Sequence, residues 1–408
     1  MRRFLFLCQA PLNGRLNCAT RQNNSHFNNF TNVRATTTTQ STYGSYFLTS
    51  SNNTLSNVEI NKTGTASTYG LYWNGGEGNI IDRLVVNATV ASTAKYGARF
   101  DTITSSTISN SRFYSRDLQA VWLAAGSNNN IFNNTTINTS TTSAAHGFYI
   151  DLSSGNSIGN STINTTGVSI YILTQSGSTM MENLNIESSA SSGIYVQGGG
   201  GALASDGNII NNVTAVALNY PLAFYQQSAS NNVTNSTFNS SANTAFLTNA
   251  GSNGNLFRNN TFRSRLSGGT AYAMYFTSDS SNNVIRNNFL WSLTSHSVYF
   301  GSTSNSNSIS NNSINASTGS GYGVYFAANP ANSNNITNNR IVANGYGVYL
   351  NGDFNNVSSN NITSNGSGAA YLYTSNYNAL EYNNITAVTN GYYLTTSTGN
   401  NITGSIVH

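Results

Sequence analysis

The chain has 408 residues and a formal net charge of +4, yet only 7% of its residues are charged, against a usual share of about a quarter. So sparse a charge excludes a fold held by ion-pair networks. With Lys62 and Lys95 as the only lysines, it also excludes the clustered basic face of a nucleic-acid binder. The 24 Tyr and 19 Phe exclude a disordered polar chain, which lacks aromatic and β-branched residues, and no run of 18 apolar residues offers a spanning helix.

Residues 1–22 match nothing further along and read as an irregular N-terminal segment. Arg2-Arg3 followed by Phe4-Leu5-Phe6-Leu7-Cys8 resembles a signal peptide cut short, its apolar core below the usual length of about 7–15 residues; a truncated signal and a mis-called start are the two readings of this segment. Cys8 and Cys18 are the only cysteines. They could pair in an oxidising compartment, but two cysteines make neither a disulfide framework nor a zinc site.

From residue 23 to 408 the chain repeats. The tetrad Gly323-Val324-Tyr325-Phe326 returns as Gly347-Val348-Tyr349-Leu350, and earlier as Gly193-Ile194-Tyr195-Val196 and Gly70-Leu71-Tyr72-Trp73. Its central residue falls at Tyr46, Tyr72, Arg99, Trp122, Tyr149, Tyr171, Tyr195, Phe224, Phe246, Tyr275, Tyr299, Tyr325, Tyr349, Tyr371 and Tyr393. Gaps of about 22 to 29 residues are a solenoid period. The residues flanking each centre are apolar (Phe148 and Ile150, Ile170 and Ile172). Because side chains alternate along a strand, the flanks face a core and the centres face outward.

Two further strands follow in each period, about five residues apart with Asn-Asn between them: Ile309 to Ile314, Ile336 to Ile341, Leu380 to Ile385. Asn tolerates the left-handed conformation of a tight corner, and asparagines stacked turn on turn can form a hydrogen-bonded ladder. Three short strands per turn, with no helix-period pattern, predict an all-β fold: a single right-handed parallel β-helix of about fifteen turns over residues 23–408. No polar cap is visible at either terminus, so end-to-end stacking or a longer protein is the expectation.

The repeat Gly-Ile/Val-Tyr-Leu/Phe with Asn-Asn-x-Ile-x-Asn-Asn-x-Ile resembles the right-handed parallel β-helix repeats of the pectate-lyase-like superfamily, and NosD-like repeat proteins in particular. The resemblance implies a secreted, periplasmic or cell-surface location. It leaves activity open, because that superfamily holds lyases, hydrolases, epimerases, adhesins and structural proteins.

Two candidate sites emerge. The outward aromatic column, with Tyr149, Tyr171, Tyr195, Tyr275, Tyr299, Tyr325, Tyr349 and Tyr371, can stack on itself to stiffen the sheet, and can also offer ring faces and hydroxyls to a polysaccharide or cell-envelope glycan. The catalytic candidates are Asp101 and Asp151 with Arg99, flanked by Lys95 and His146. Both aspartates fall two residues after a column position, two turns and so about 10 Å apart, close to an inverting glycosidase's carboxylate separation. His146 and His296 lie six turns apart by register and cannot share a metal; no metal or other cofactor is implied. The sequence thus reads as a rigid structural or adhesive module binding polysaccharide along the column, with a polysaccharide lyase or glycoside hydrolase, or a bare stalk, as alternatives.

Overall fold

The structure, a computed structural model, describes residues 5–9, 17–37, 43–62, 68–88, 95–141, 144–199, 204–249, 251–266, 269–327 and 331–408; the side chains of Cys8, Cys18 and Lys95 lie outside the described set. Among the described residues every regular element is a β-strand. The chain divides into two compact units, residues 1–195 and 196–408. Each is a run of turns of right-handed parallel β-solenoid, with about fifteen turns in the chain.

Each turn gives one strand to each of three sheets. In the second unit the first sheet stacks Val298–Phe300 on Val324–Phe326 and Val348–Leu350, in exact register at Tyr299, Tyr325 and Tyr349. The second sheet stacks Ser308–Ser310 on Asn335–Thr337 and Asn356–Ser358, and the third stacks Ser313–Ala316 on Arg340–Ala343 and Asn361–Ser364. The long strands Thr54–Lys62, Ile80–Ala88, Met180–Ser188 and Ile209–Ala217 run through the corner between the second and third sheets and belong to both. In the first unit Asn17–Asn23 crosses the expected boundary at residue 22. It pairs in parallel with Tyr43–Leu48, while Leu5–Gln9 folds back antiparallel upon it with Cys8 opposite Cys18.

The alternation read from the sequence sets the core. Val324, Phe326, Ile336, Ile341, Val348, Leu350, Val357 and Ile362 are fully buried, and Phe276, Phe300 and Phe326 stack face to face at 4.5 Å. At Gly323 and Gly347, which open their tetrads, glycine is required by close approach. A Cβ on Gly347 would lie 2.2 Å from Ile362 Cγ2 and 2.8 Å from Ala369 O, and one on Gly323 would lie 2.3 Å from Ile341 Cγ2.

The two asparagines of each Asn-Asn pair divide the labour. The first takes the left-handed corner (Asn259, Asn287, Asn311 and Asn338, φ 56° to 57°). The second turns inward and is buried (Asn260, Asn288, Asn312, Asn339), and Asn360 and Asn383 do the same behind corners held by Ser359 and Tyr382. There the backbone N–H of each from Asn260 to Asn360 donates to Oδ1 of the asparagine one turn on, at 2.8 to 3.0 Å, and that of Asn383 to Ser405 Oγ at 3.2 Å. A parallel ladder runs through the corner before the second sheet: Asn208, Asn231, Asn255, Asn283, Asn307, Asn334, Asn355 and Asn378. Buried polar groups are tolerated only when hydrogen-bonded, and these ladders satisfy side chain and backbone together.

Phe224 and Phe246 correct the expected column. Leu222 pairs with Phe246 and then Met274, so the outward positions are Ala223 and Leu247, while both phenylalanines point inward with no exposure. They close on Phe257 at 6.1 and 4.6 Å. An aromatic ring one position off the strand centre satisfies the core and still mimics the tetrad.

Candidate functional site

The outward face of the first sheet carries two aromatic columns. In the first unit the central column runs Tyr46, Tyr72, Arg99, Trp122, Tyr149, Tyr171 by backbone register, with Tyr195 against Tyr171 at 5.1 Å. In the second unit it runs Tyr275, Tyr299, Tyr325, Tyr349, Tyr371, Tyr393. The structure thus brings Tyr149, Tyr171 and Tyr195 together in one unit, and Tyr275, Tyr299, Tyr325, Tyr349 and Tyr371 in the other. All eight are half-buried.

A second column, three residues earlier in each turn, escaped the sequence reading. It holds Tyr43, Tyr69, Tyr96 and His146 in the first unit and Tyr272, His296, Tyr322 and Tyr346 in the second. These rings bridge turns: Tyr272 touches Tyr275 and Tyr299, both at 4.8 Å, and Tyr322 touches Tyr325 at 4.9 Å and Tyr349 at 5.7 Å. The available signal was Tyr recurring just before the tetrad's glycine, as in Gly-Tyr-Gly at 321–323 and 345–347.

Stacked pairs such as Tyr322–Tyr349 at 5° cover each other's faces and turn hydroxyl-bearing edges outward. Edge-to-face pairs such as Tyr349–Tyr371 at 84° leave a face uncovered by the partner. Burial pushes the phenols of Tyr149, Tyr171, Tyr275, Tyr299, Tyr325 and Tyr349 above their ordinary value, so they stay protonated and able to donate.

The column's one break in the first unit is a polar cluster. Arg99 Nε donates to Asp101 Oδ1 at 2.8 Å, its NH1 donates to Tyr69 Oη at 2.9 Å, and its guanidinium lies 4.0 Å from the centroid of the Trp122 ring. Tyr72 Oη donates to Asp101 Oδ2 at 2.8 Å. Burial, then the bond to Asp101, holds the Tyr72 phenol well above its usual range. Both oxygens of Asp101 are therefore engaged. Asp101 is in register with Ala124, and Asp151 follows one turn on, its N–H bonded to Leu123 O. Burial raises the Asp151 carboxyl, and its side chain makes no hydrogen bond among the described residues. His146 lies against Tyr149 and Tyr171, and its Nδ1 accepts the Val168 N–H at 3.1 Å.

Fold and surface together define a right-handed parallel β-helix repeat protein with outward aromatic columns on the first sheet of each unit. Residues 43–177 and 97–262 match the family described as right handed beta helix region, and residues 193–357 and 270–407 match that described as periplasmic copper-binding protein (NosD). The chain belongs to these right-handed β-helix, NosD-type repeat families. No curated protein matches it. Among solved structures, the Dettilon tailspike protein (gp208) superposes with a TM-score of 0.50 at 12% identity over 66% of this chain, which spans 60% of the tailspike's length. The A-module of the Azotobacter vinelandii mannuronan C-5 epimerase AlgE6 aligns at 10% identity with a TM-score of 0.42, over 93% of this chain and 90% of that one. At these identities the likeness is one of fold.

The donor set of the described residues does not fit the copper named in the NosD description. Among the described residues no three of His, Cys, Asp and Glu converge. In the second unit His296, like His146, spends Nδ1 on a backbone N–H, that of Tyr322 at 3.0 Å, and its ring is packed among tyrosines. No helix among the described residues is long and apolar enough to cross a membrane.

Proposed function

We propose that this protein is an exported, non-enzymatic binding module that lays a polysaccharide along the first sheet. The contacts would be Tyr149, Tyr171 and Tyr195 in the first unit and Tyr275, Tyr299, Tyr325, Tyr349 and Tyr371 in the second. The observation that carries the reading is the separation of Phe from Tyr within single strands. In Met274–Phe276, Val298–Phe300 and Val324–Phe326 the inward aromatic is Phe and the outward one is Tyr. Stacking along the column needs only rings. The phenols of Tyr275, Tyr299, Tyr325, Tyr349 and Tyr371 make no hydrogen bond to the described residues, and serve a ligand whose rings carry hydroxyls. The periplasmic character of the matched family supports a place outside the cytoplasm.

The test is a glycan array in which released reducing ends are assayed in the same wells. Binding without new ends is expected. Tyr325→Ala and Tyr349→Ala should each weaken it about fivefold, the worth of one aromatic contact of about 1 kcal/mol. Binding that survives both substitutions overturns the reading, and silence across the array leaves a structural rod.

A second reading is favoured by Asp151, whose burial-raised carboxyl suits a general acid. A polysaccharide lyase or hydrolase would then use Asp151 with Asp101 and Arg99, and Asp101 would have to leave Arg99 and Tyr72 to act as a base. New reducing ends or unsaturated products that vanish in Asp151→Asn and Asp101→Asn, with binding intact, would establish it.

A further inference from the structure

The second unit carries five arginines, no lysine and four acids. Four of the five, Arg258, Arg263, Arg265 and Arg286, fall within two adjacent turns. On the outward face of the second sheet Arg258 sits directly above Arg286 in strand register, and both are exposed. Like charges placed opposite each other on a sheet repel. Within this unit the nearest acid along that column is Glu381, reached from Arg286 through Ser310, Thr337 and Ser358. Four turns at about 4.8 Å put it about 19 Å away, beyond two screening lengths at physiological salt.

The other acids are committed elsewhere. Asp206 and Asp353 accept backbone N–H groups of Ala229 and Asn376 at 2.6 Å, and Asp279 sits in a left-handed turn before the second sheet. All four ion pairs among the described residues, Arg34–Glu59, Arg83–Asp82, Arg99–Asp101 and Arg116–Asp117, belong to the first unit.

Around the corner, the third sheet continues the same two turns. Arg263 is in register with Trp291, and its guanidinium lies 5.2 Å from the centroid of the Phe289 ring. Phe289 and Trp291 are half-exposed on that outward face. The buried pair Asn260 and Asn288 locks the corner between the two sheets, Asn260 N–H donating to Asn288 Oδ1 at 2.8 Å. The guanidinium groups and the rings are therefore held on one rigid frame.

We propose that this patch, on a face distinct from the tyrosine columns, binds an acidic polysaccharide, one carrying a carboxylate or sulfate on its sugar residues. Arg258 and Arg286 take successive anionic groups through forked, charge-assisted hydrogen bonds, and the bound anions remove the repulsion that the empty ladder carries. Phe289 and Trp291 meet the flat faces of the sugar rings, which a simple inorganic anion would leave unused. A duplex nucleic acid is the poorer match, because its binders typically contact about six to ten phosphates and this unit has five cations in all.

The experiment titrates the full chain with polyuronate, with heparin, with neutral dextran and with duplex DNA of equal charge, at two salt concentrations. Salt-dependent binding of polyuronate or heparin, with none to dextran, is expected. Arg258→Gln/Arg286→Gln should weaken it at least about tenfold and flatten its salt dependence, while the thermal midpoint holds or rises because the repulsion is gone. Trp291→Ala should weaken glycan binding but leave any weak phosphate binding unchanged. Tyr325→Ala/Tyr349→Ala should leave the acidic-glycan affinity intact, which separates this site from the first-sheet platform. Equal affinity for DNA, undiminished binding by the arginine double variant, or loss only in the tyrosine variant would overturn the proposal.

Discussion

Asn312→Ala tests what holds the turns together. Asn312 Oδ1 accepts both the N–H and the Nδ2 of Asn288, at 2.8 and 3.0 Å, while its own Nδ2 donates to Ile285 O at 2.8 Å and to Asn339 Oδ1 at 3.0 Å. Alanine removes all four bonds and strands the Asn288 N–H where Asn288 is 3% exposed and Asn312 2%. An orphaned buried donor costs about 1–3 kcal/mol, and each of the three other lost bonds about 1 kcal/mol where a partner keeps a second contact; the sum is about 4–6 kcal/mol. The neighbouring Asn311 supplies the control. It is exposed, holds φ at 56°, and its side chain makes no hydrogen bond among the described residues, so Asn311→Ala should cost only the left-handed backbone, about 1–2 kcal/mol. In a repeat array the damage stays within neighbouring turns. Native-state hydrogen exchange on the amides of residues 285–290 and 309–314 therefore reads it better than a global melt. Equal opening in Asn311→Ala and Asn312→Ala would refute the ladder as the source of cohesion.

Gly347→Ala should lower the thermal midpoint through overpacking of about 1–3 kcal/mol, since its Cβ meets Ile362 Cγ2 at 2.2 Å; circular dichroism melting showing no change would contradict the close approach. Burial pushes the imidazoles of His146 and His296 down to about 4 from 6.5. The unfolded chain then takes up its protons near pH 6.5 and the folded one only near 4, so stability is full above about 6.5 and falls as pH drops towards 4. Denaturant unfolding at pH 7 and 4.5 should show this slope, reduced in His146→Gln and His296→Gln; equal slopes would argue against buried neutral rings. The raised phenols predict that phenolate absorbance of the folded protein appears above the ordinary titration near pH 10 and returns to it in guanidinium, with stability lost as pH rises through the folded values. An ordinary titration of the folded chain would count against the packed columns.

The register of Tyr299, Tyr325 and Tyr349 was legible because period-2 alternation recurs behind a small opening residue, Ser297, Gly323 or Gly347, and the corner asparagines were legible because few residues accept a left-handed bend. Phe224 and Phe246 show the limit of that reading. A ring counts as a landmark in sequence, whereas the backbone register, fixed by the neighbouring turns, assigns it to the core. The second column was hidden because Tyr272, His296 and Tyr322 precede the strand, where no alternation marks which way a side chain points. The bonds from Arg99 to Tyr69 and from Tyr72 to Asp101 join residues 30 and 29 positions apart, and no local pattern announces such pairings. Asp101 and Asp151 could be placed two turns apart from spacing alone, but that Asp101 has both oxygens occupied is a fact of three dimensions.

The asparagine ladder also sets how such a protein can change its length. Successive rungs are separated by 28 residues from Asn255 to Asn283 but by 21 from Asn334 to Asn355, and the connecting bonds are 2.9 and 2.8 Å all the same. Every rung offers the same donor pair forward and the same acceptor back, so any rung is a compatible neighbour for any other. Cutting at Asn307 and rejoining at Asn334 would delete one whole coil and leave the splice chemically identical to the original. A gene built this way can grow or shrink by unequal recombination in steps of one coil, with the loops free to vary between the splice points.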